Sequence, residues 1–236
     1  MNRDTVDRAT LEDLAAASRI LVDQGVFDAA GHVSMRHPNM PERFLMSRSL
    51  APEMVTADDI MQFDLSCNAI DARGRNGFIE RFLHGEIYRA RPDVMAIAHS
   101  HSPPVIAFGL TQTPMRAMYH NAAFLAAGVP VFDIRETFGT TDIVINNAAK
   151  GAALAETLAD KSVALLRAHG MVAVAPSLPV AVFRAIFTVV SAKIQQQAMA
   201  LGGPLAALDE NEGRIADIVN VDTVGRSWDL WKRRVT

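Results

Sequence analysis

The sequence is poor in the residues that mark several large protein classes. It has one cysteine, Cys67, among 236 residues, which excludes an intramolecular disulfide and a multi-cysteine zinc site. A bound metal ion would therefore depend on histidine and carboxylate ligands. The formal net charge of −3 provides no basic field for a nucleic-acid backbone, so we expect no nucleic-acid partner.

Long uninterrupted apolar segments are also missing. The first residues are polar and charged, without the apolar core of a signal peptide. The most apolar stretch, residues 171–190, is interrupted by Pro176, Pro179 and Arg184, which argues against a membrane span. Hydrophobic residues still make up 50% of the chain, as is typical of a globular protein with a substantial core. We expect a cytoplasmic protein without a membrane partner.

The chain contains no internal repeat and no flexible linker, so we expect a single domain over residues 1–236. The first predicted helix begins at a capping box of Thr10 and Asp13. The segment with Trp228 and Trp231 is expected to form an amphipathic surface tail. The alternatives are that it covers the active site or packs on another subunit. Apolar periodicity predicts helices at 11–22, 79–90, 119–127, 141–158 and 179–201, and strands within 31–46 and at 94–98, 163–166 and 171–174. This interleaving predicts an α/β fold with a mixed sheet covered by helices.

Histidines follow two of the predicted strands. His99 and His101 come directly after the strand at 94–98, and residues two apart on a strand point to the same side, so both imidazoles can converge on one metal ion. His169 follows the strand at 163–166, beside Gly170, and glycine permits a close backbone approach. Three histidines with an open fourth position are typical of a catalytic metal site. The alternative is a set of surface histidines, or histidines with local hydrogen-bond partners.

Glu80 and His84 lie four residues apart on the predicted helix at 79–90 and share one face. A carboxylate near a metal ion in a partly dry pocket can act as a ligand, a general acid or a general base. The alternative is an ordinary pair on a solvated helix face.

The order of these segments resembles the class II aldolase/adducin family over residues 11–201. The segments that carry the resemblance are Gly31-His32-Val33-Ser34-Met35-Arg36, Glu80-x-x-x-His84-Gly85-Glu86-Ile87-Tyr88, Arg91-Pro92-Asp93-Val94, His99-x-His101 and His169-Gly170. The resemblance implies a single three-layer α/β/α domain with a central, largely antiparallel mixed sheet. It implies a homotetramer with active sites between subunits. It also implies that His99, His101 and His169 bind one divalent ion per subunit, Zn²⁺ or Mn²⁺, that Glu80 is catalytic, and that His84 has a supporting role.

The sequence departs from the family's sugar-phosphate aldolases where those enzymes hold phosphate. Those positions read Ser47-Arg48-Ser49, His32 and Phe78-Ile79. The side chains of Phe78 and Ile79 offer no hydrogen bond to a phosphate oxygen, so a phosphorylated substrate is not expected. Ser47, Arg48 and His32 become candidate substrate-binding residues.

Two further arginines stand at family positions where the aldolases have aromatic residues. Arg135 replaces the tyrosine proton donor, and Arg81 stands where a tryptophan usually follows the catalytic glutamate. Guanidinium cannot act as an ordinary acid, but it binds carboxylates through paired donors. We therefore include Arg135 and Arg81 among the predicted substrate-binding residues and expect a small-molecule carboxylate as substrate.

These departures resemble the decarboxylase branch of the family, in particular its decarboxylases of pyridine dicarboxylates that carry a hydroxyl and a methyl group on the ring. The implied reaction is metal-dependent decarboxylation of an aromatic or heteroaromatic acid with a hydroxyl beside the departing carboxylate. Glu80, or a water it positions, would protonate the ring carbon while Arg48 and Arg135 hold a remaining carboxylate. His32, His120 or Tyr119 could provide a second acid. The alternatives are a metal-dependent aldolase acting on an unphosphorylated hydroxy-keto acid, and a non-catalytic scaffold like the adducin head domains.

Overall fold

A computed structural model describes residues 5–236. Its α-helices are α1 (Arg8–Asp23), α2 (Arg81–Ala90), α3 (Pro103–Ile106), α4 (Ile134–Phe138), α5 (Ala148–Leu158), α6 (Leu178–Leu201) and α7 (Glu210–Val235). Its strands are β1 (His32–Arg36), β2 (Arg43–Ser47), β3 (Ile60–Asp64), β4 (Ala96–Ser100), β5 (Val131–Phe132), β6 (Val163–Leu166) and β7 (Gly170–Ala175). Short 3₁₀ helices lie at Pro52–Met54, Ala57–Asp59, Ala107–Leu110 and His120–Leu125.

The strands form one sheet in the order β3-β2-β1-β4-β7-β6-β5. The neighbouring strands pair antiparallel, except that β5 and β6 are parallel. This mixed, largely antiparallel sheet confirms the predicted fold class.

Helices cover both faces of the sheet because both faces are apolar. Leu45 and Ala98 belong to a core with residues of α1, α6 and α7, whereas Phe63 and Ile97 belong to a second core with residues of α2 and α5. Alternate residues of a strand therefore enter different cores, as the two-residue period of a strand requires. The result is the three-layer α/β/α arrangement that the resemblance implied.

Helix α1 packs against helix α7, and the start of α1 differs from the prediction. Asp7, not Thr10, caps α1, because its carboxylate accepts the backbone N–H of Thr10 at 2.8 Å. Asp13 instead pairs with Lys232 of α7. The predicted amphipathic segment forms α7, a 26-residue helix that buries Trp228 and Trp231 and leaves many of its other residues exposed.

Helix α6 is long and apolar enough to cross a membrane by length and composition, and 67% of its apolar window is buried inside the protein. The apolar stretch at residues 171–190 is divided between β7 and α6, and α6 begins one residue before the predicted start at Pro179. Pro179 lies in the first helical turn, where a missing N–H costs little. Arg184 ion-pairs with Asp217 of α7 at 2.9 Å. The helix therefore serves as the core of the α1, α6 and α7 layer.

Several predicted boundaries shift near the candidate residues. The strand predicted at 94–98 lies at Ala96–Ser100, so His99 is inside β4. The helix predicted from Ile79 begins at Arg81, with Glu80 as its N-cap residue. The helix predicted at 119–127 is a 3₁₀ helix, His120–Leu125. Strands β3 and β5 were not predicted.

The largest error concerns the helix predicted at 141–158. Helix α5 begins at Ala148, after Asn147 accepts the backbone N–H of Lys150 at 3.0 Å. Residues 141–147 form a loop instead. This loop contacts the candidate site.

Candidate active site

Several of the predicted site residues lie together at one end of the sheet. His32 of β1 lies opposite His99 of β4 in the strand register. Ser34 pairs with Met46, so Ser47 is at the end of β2 beside the His32 end of β1, and Arg48 follows it. Since residues opposite each other in an antiparallel pair share a face, His32 and His99 both point toward the α2 side of the sheet.

Three histidines and one carboxylate meet at this end. The ligand atoms of Glu80, His99, His101 and His169 all lie within 4.8 Å of one another. Nε2 of His101 is 3.0 Å from Nε2 of His99 and 3.0 Å from Nε2 of His169. The two-residue spacing of His99 and His101 thus has the consequence expected from strand geometry. We call these four residues the histidine–glutamate cluster.

Backbone carbonyls determine which ring nitrogens of the cluster carry protons. Nδ1 of His99 is 2.9 Å from the carbonyl oxygen of Met171, and Nδ1 of His169 is 3.0 Å from that of Ile143. Because a carbonyl can only accept, each Nδ1 carries a hydrogen, and the neutral tautomer that this bond selects has its lone pair on Nε2. These lone pairs face the centre of the cluster. Such second hydrogen bonds are typical of metal-binding histidines.

Glu80 completes the donor set as an anion. Its Oε1 accepts the backbone N–H of Ile145 at 3.0 Å, and its Oε2 is 3.4 Å from Nε2 of His169 and 3.5 Å from Nε2 of His99. Burial alone would raise the pKa of Glu80, but its interactions with His169 and His99 outweigh this effect and hold the pKa well below its ordinary range. Burial also lowers the pKa of His101 to about 4, so this ring is neutral near pH 7. Three imidazoles with one carboxylate fit a divalent first-row metal ion.

The backbone around His169 adopts uncommon conformations. Ala168 has φ 56° and Ile143 has φ 57°, in the left-handed region that β-branched residues rarely occupy. A Cβ at Gly170 would lie 1.9 Å from the carbonyl oxygen of Ser100. Glycine is therefore required there by the close approach of two strands, as the sequence predicted.

A buried chain of polar groups leads from the cluster into α2. Nδ1 of His32 is 2.8 Å from Nε2 of His84, Nδ1 of His84 is 2.7 Å from Oγ of Ser34, and that oxygen is 2.8 Å from the hydroxyl of Tyr88. The His32 ring centroid lies 5.0 Å from that of His99. Burial lowers the pKa of His84 to about 3, so the ring is neutral. His84 therefore contacts His32 and Ser34, consistent with the supporting role the resemblance implied.

The predicted arginines occupy different surroundings. Arg48 donates through Nε to Asp59 at 2.6 Å and has a half-exposed side chain. Arg81 donates to the carbonyl oxygens of Cys67 and Phe78, at 2.8 and 3.0 Å. Its guanidinium is thus held at the loop that precedes α2 and joins no described contact of the cluster.

Arg135 and the aromatic pair at 119–120 also lie outside the described contacts of the cluster. Arg135 is exposed and pairs with Asp133 at 2.6 Å. The hydroxyl of Tyr119 is buried and has no hydrogen-bond partner among residues 5–236. The carbonyl of His120 accepts from Asn220 of α7 at 2.6 Å.

Sequence reasoning missed the backbone groups that orient the cluster. The carbonyl of Ile143 and the N–H of Ile145 belong to a segment that periodicity placed in a helix. Asn147, a residue type that favours helix N-caps, was the available signal for a later helix start. It would have left residues 141–146 as a loop.

Comparison with known proteins agrees with this geometry. Residues 12–196 match the family model described as the class II aldolase and adducin N-terminal domain. The chain is 36% identical to decarboxylase tropJ of Talaromyces stipitatus, over 92% of this chain and 90% of the relative. It is 30% identical to 3,4-dihydroxyphthalate decarboxylase of Arthrobacter keyseri, over 85% of this chain and 83% of the relative.

A solved structure shares the fold at lower sequence identity. The aldolase II superfamily protein from Pseudomonas syringae superimposes with a TM-score of 0.80 at 22% identity, covering 99% of this chain and 95% of that one. The chain therefore belongs to the class II aldolase and adducin family. It is a carbon–carbon lyase, and its relatives place it in the decarboxylase branch of that family.

Proposed function

We propose that this protein is a divalent-metal-dependent decarboxylase of hydroxylated aromatic or heteroaromatic carboxylic acids. The observation that carries the proposal is the convergence of three imidazole nitrogens on the carboxylate of Glu80. The similarity to 3,4-dihydroxyphthalate decarboxylase supports a substrate with a ring hydroxyl beside a carboxylate. A hydroxypyridine dicarboxylate, indicated by the sequence resemblance, belongs to the same chemical class.

We propose that His99, His101 and His169 hold one Zn²⁺ or Mn²⁺ ion per subunit. When bound, such an ion supplies Lewis acidity and orients the substrate's oxygen atoms. Imidazole ligands suit several first-row metals, so the protein's choice depends on geometry and metal supply. The protein's own side chains transfer the proton and bind the rest of the substrate.

Glu80 is proposed to transfer the proton that the ring carbon needs. Decarboxylation breaks the bond between the ring carbon and the carboxylate carbon, releases CO₂, and leaves the electron pair on the ring. One proton must then reach that carbon. Because Glu80 is an anion, it would first accept a proton from the substrate's ring hydroxyl and then pass it to the carbon, directly or through a water. The N–H of Ile145 holds one oxygen of Glu80 and leaves the other facing the histidines.

The substrate's second carboxylate is proposed to bind at the end of β2. Nε of Arg48 is occupied by Asp59, which leaves its two terminal nitrogens for a carboxylate. Ser47 and His32 are neighbours at this end of the sheet. We further propose a homotetramer with active sites between subunits, in which the exposed Arg135, and Tyr119 or His120, would contribute from the adjoining subunit.

The test measures CO₂ release from a panel of ortho-hydroxy aromatic and pyridine carboxylates, comparing metal-free protein with protein supplied with Mn²⁺ or Zn²⁺. We expect metal-dependent release from at least one class. Glu80→Gln should abolish release while leaving metal content, measured by atomic emission, largely intact. Aldehyde formation from hydroxy-keto acids, with no CO₂ released from the panel, would contradict the decarboxylase proposal and support the aldolase alternative.

A further inference from the structure

The loop before α5 contacts two members of the histidine–glutamate cluster. The carbonyl of Ile143 orients the ring of His169, and the N–H of Ile145 holds Glu80. These two contacts are separated by a single residue, Val144. A contact that holds the backbone at Val144 therefore orients both His169 and Glu80.

Lys150 of α5 is bonded to this loop on both sides of Ile143. Its Nζ donates to the carbonyl of Val144 at 2.9 Å and to Oδ1 of Asp142 at 3.0 Å. The Lys150 side chain is 10% exposed, whereas that of Asp142 is 54% exposed. Asp142 in turn accepts the backbone N–H of Val144 at 3.1 Å. The lysine thus sits beneath the loop as a nearly buried cation.

The backbone conformation of Ile143 makes this attachment necessary. A β-branched residue at φ 57° is strained, and such strain persists only when surrounding contacts over-determine it. Lys150 supplies two of those contacts, one to the residue before Ile143 and one to the residue after it. A relaxed Ile143 would turn its carbonyl away from Nδ1 of His169.

We propose that Lys150 is a positioning residue that orients His169 and Glu80 through the loop at residues 142–145. Among residues 5–236, its recorded side-chain hydrogen bonds go to Asp142 and Val144 and not to the cluster. Its effect passes through the carbonyl of Ile143, which keeps the proton of His169 on Nδ1 and the lone pair on Nε2. The inference takes the metal site of the proposed function as given, but its consequence for the His169 ring holds without metal.

The first test measures metal affinity by competition with a chromogenic chelator. Lys150→Met keeps the length of the side chain and removes the charge and the donors. We expect Mn²⁺ or Zn²⁺ to bind about 10-fold more weakly, the order found when partners of metal-binding histidines are removed. Lys161→Met is the matched control, because Lys161 pairs with Asp160 at 2.9 Å just beyond the other end of α5, and it should bind metal like the wild type.

The second test observes the imidazole directly in metal-free protein. Two-dimensional ¹⁵N NMR of histidine-labelled protein distinguishes Nδ1–H from Nε2–H rings. We expect a single Nδ1–H form of His169 in the wild type and in Lys161→Met, and a mixture in Lys150→Met. A purely structural role would lower the melting temperature of the metal-free protein without changing this signature.

A milder variant covers the case in which Lys150→Met does not fold. Asp142→Asn keeps an oxygen for the N–H of Val144 but removes the ion pair, so we expect a smaller loss of affinity and a partial change in the His169 signal. Wild-type affinity and signal in whichever variant folds would overturn the inference. Failure of the wild type to bind any divalent ion would instead overturn the metal site of the proposed function, and the NMR comparison would still decide the role of Lys150.

Discussion

Nδ1 of His32 lies 2.8 Å from Nε2 of His84, and both rings are buried. Which of the two rings donates in this hydrogen bond depends on Tyr88, at the other end of the series of hydrogen-bonded side chains. Burial raises the pKa of Tyr88, so it stays a phenol, and within residues 5–236 its recorded hydrogen-bond partner is Oγ of Ser34. If the phenol donates to Ser34, then Ser34 donates to Nδ1 of His84.

The donor and acceptor roles of His84 then determine those of His32, beside the histidine–glutamate cluster. A neutral His84 that accepts at Nδ1 must donate from Nε2 to Nδ1 of His32. His32 then carries its own proton on Nε2, as a donor beside His99. We therefore predict that this donor binds a carboxylate substrate.

Tyr88→Phe should therefore weaken substrate binding without disturbing the cluster. The ring remains, but the hydroxyl that donates to Ser34 is lost. His32 can then carry its proton on either ring nitrogen, so Nε2–H is no longer its single form. We expect KM for the carboxylate substrate to rise about 3- to 10-fold, the range of one modest hydrogen bond, with a smaller change in kcat. Steady-state kinetics with metal content measured in parallel would check this. An unchanged KM would contradict the directed chain.

The buried His84 also predicts how stability depends on pH. Its folded pKa of about 3 lies below the ordinary value of 6.5, so between these values the unfolded chain binds more protons and the free energy of unfolding falls as the pH falls. We expect this loss to reach about 1.4 kcal/mol per pH unit for one histidine. Denaturant unfolding of metal-free protein at pH 6, 5 and 4 should show a steeper loss for the wild type than for His84→Gln. Parallel curves would show that His84 is not held neutral.

The amino-acid pattern predicted the cluster more fully than it predicted what orients the cluster. His99 and His101 share a face because a strand has a period of two, which is a local property. The contacts of His169 and Glu80 with Ile143 and Ile145 join segments more than 20 residues apart, and backbone groups have no signature in the sequence. Apolar residues at 143–145 also extended the helical pattern of α5 backwards, so the loop was hidden.

The predicted arginines show what residue type alone can indicate. Guanidinium binds carboxylates, which is why Arg81 and Arg135 are predicted to bind the substrate. Within one subunit Arg81 donates to a backbone carbonyl and Arg135 to Asp133, so their contact with a substrate stays a prediction. His32 and Ser47 could be placed because strand pairing brings them to the end of the sheet that holds His99.

A close contact between α2 and α5 provides a prediction about stability. A Cβ at Gly151 of α5 would lie 2.5 Å from the carbonyl oxygen of Phe82 and 2.9 Å from Cγ of Glu86. The carbonyl belongs to the helix backbone and cannot move aside alone. Gly151→Ala should therefore lower the free energy of unfolding by about 1–3 kcal/mol through overpacking, measured by denaturant titration of the metal-free protein.

Gly225 provides the matched control, because it also lies inside a helix, α7, and a Cβ there would meet nothing within 4 Å. Alanine at an open helical position is favoured over glycine by about 0.5–1 kcal/mol. Gly225→Ala should therefore stabilise the protein while Gly151→Ala destabilises it, although the chemical change is identical. Equal shifts in the same direction would mean that helix propensity, and not the close approach of α2 and α5, governs both sites.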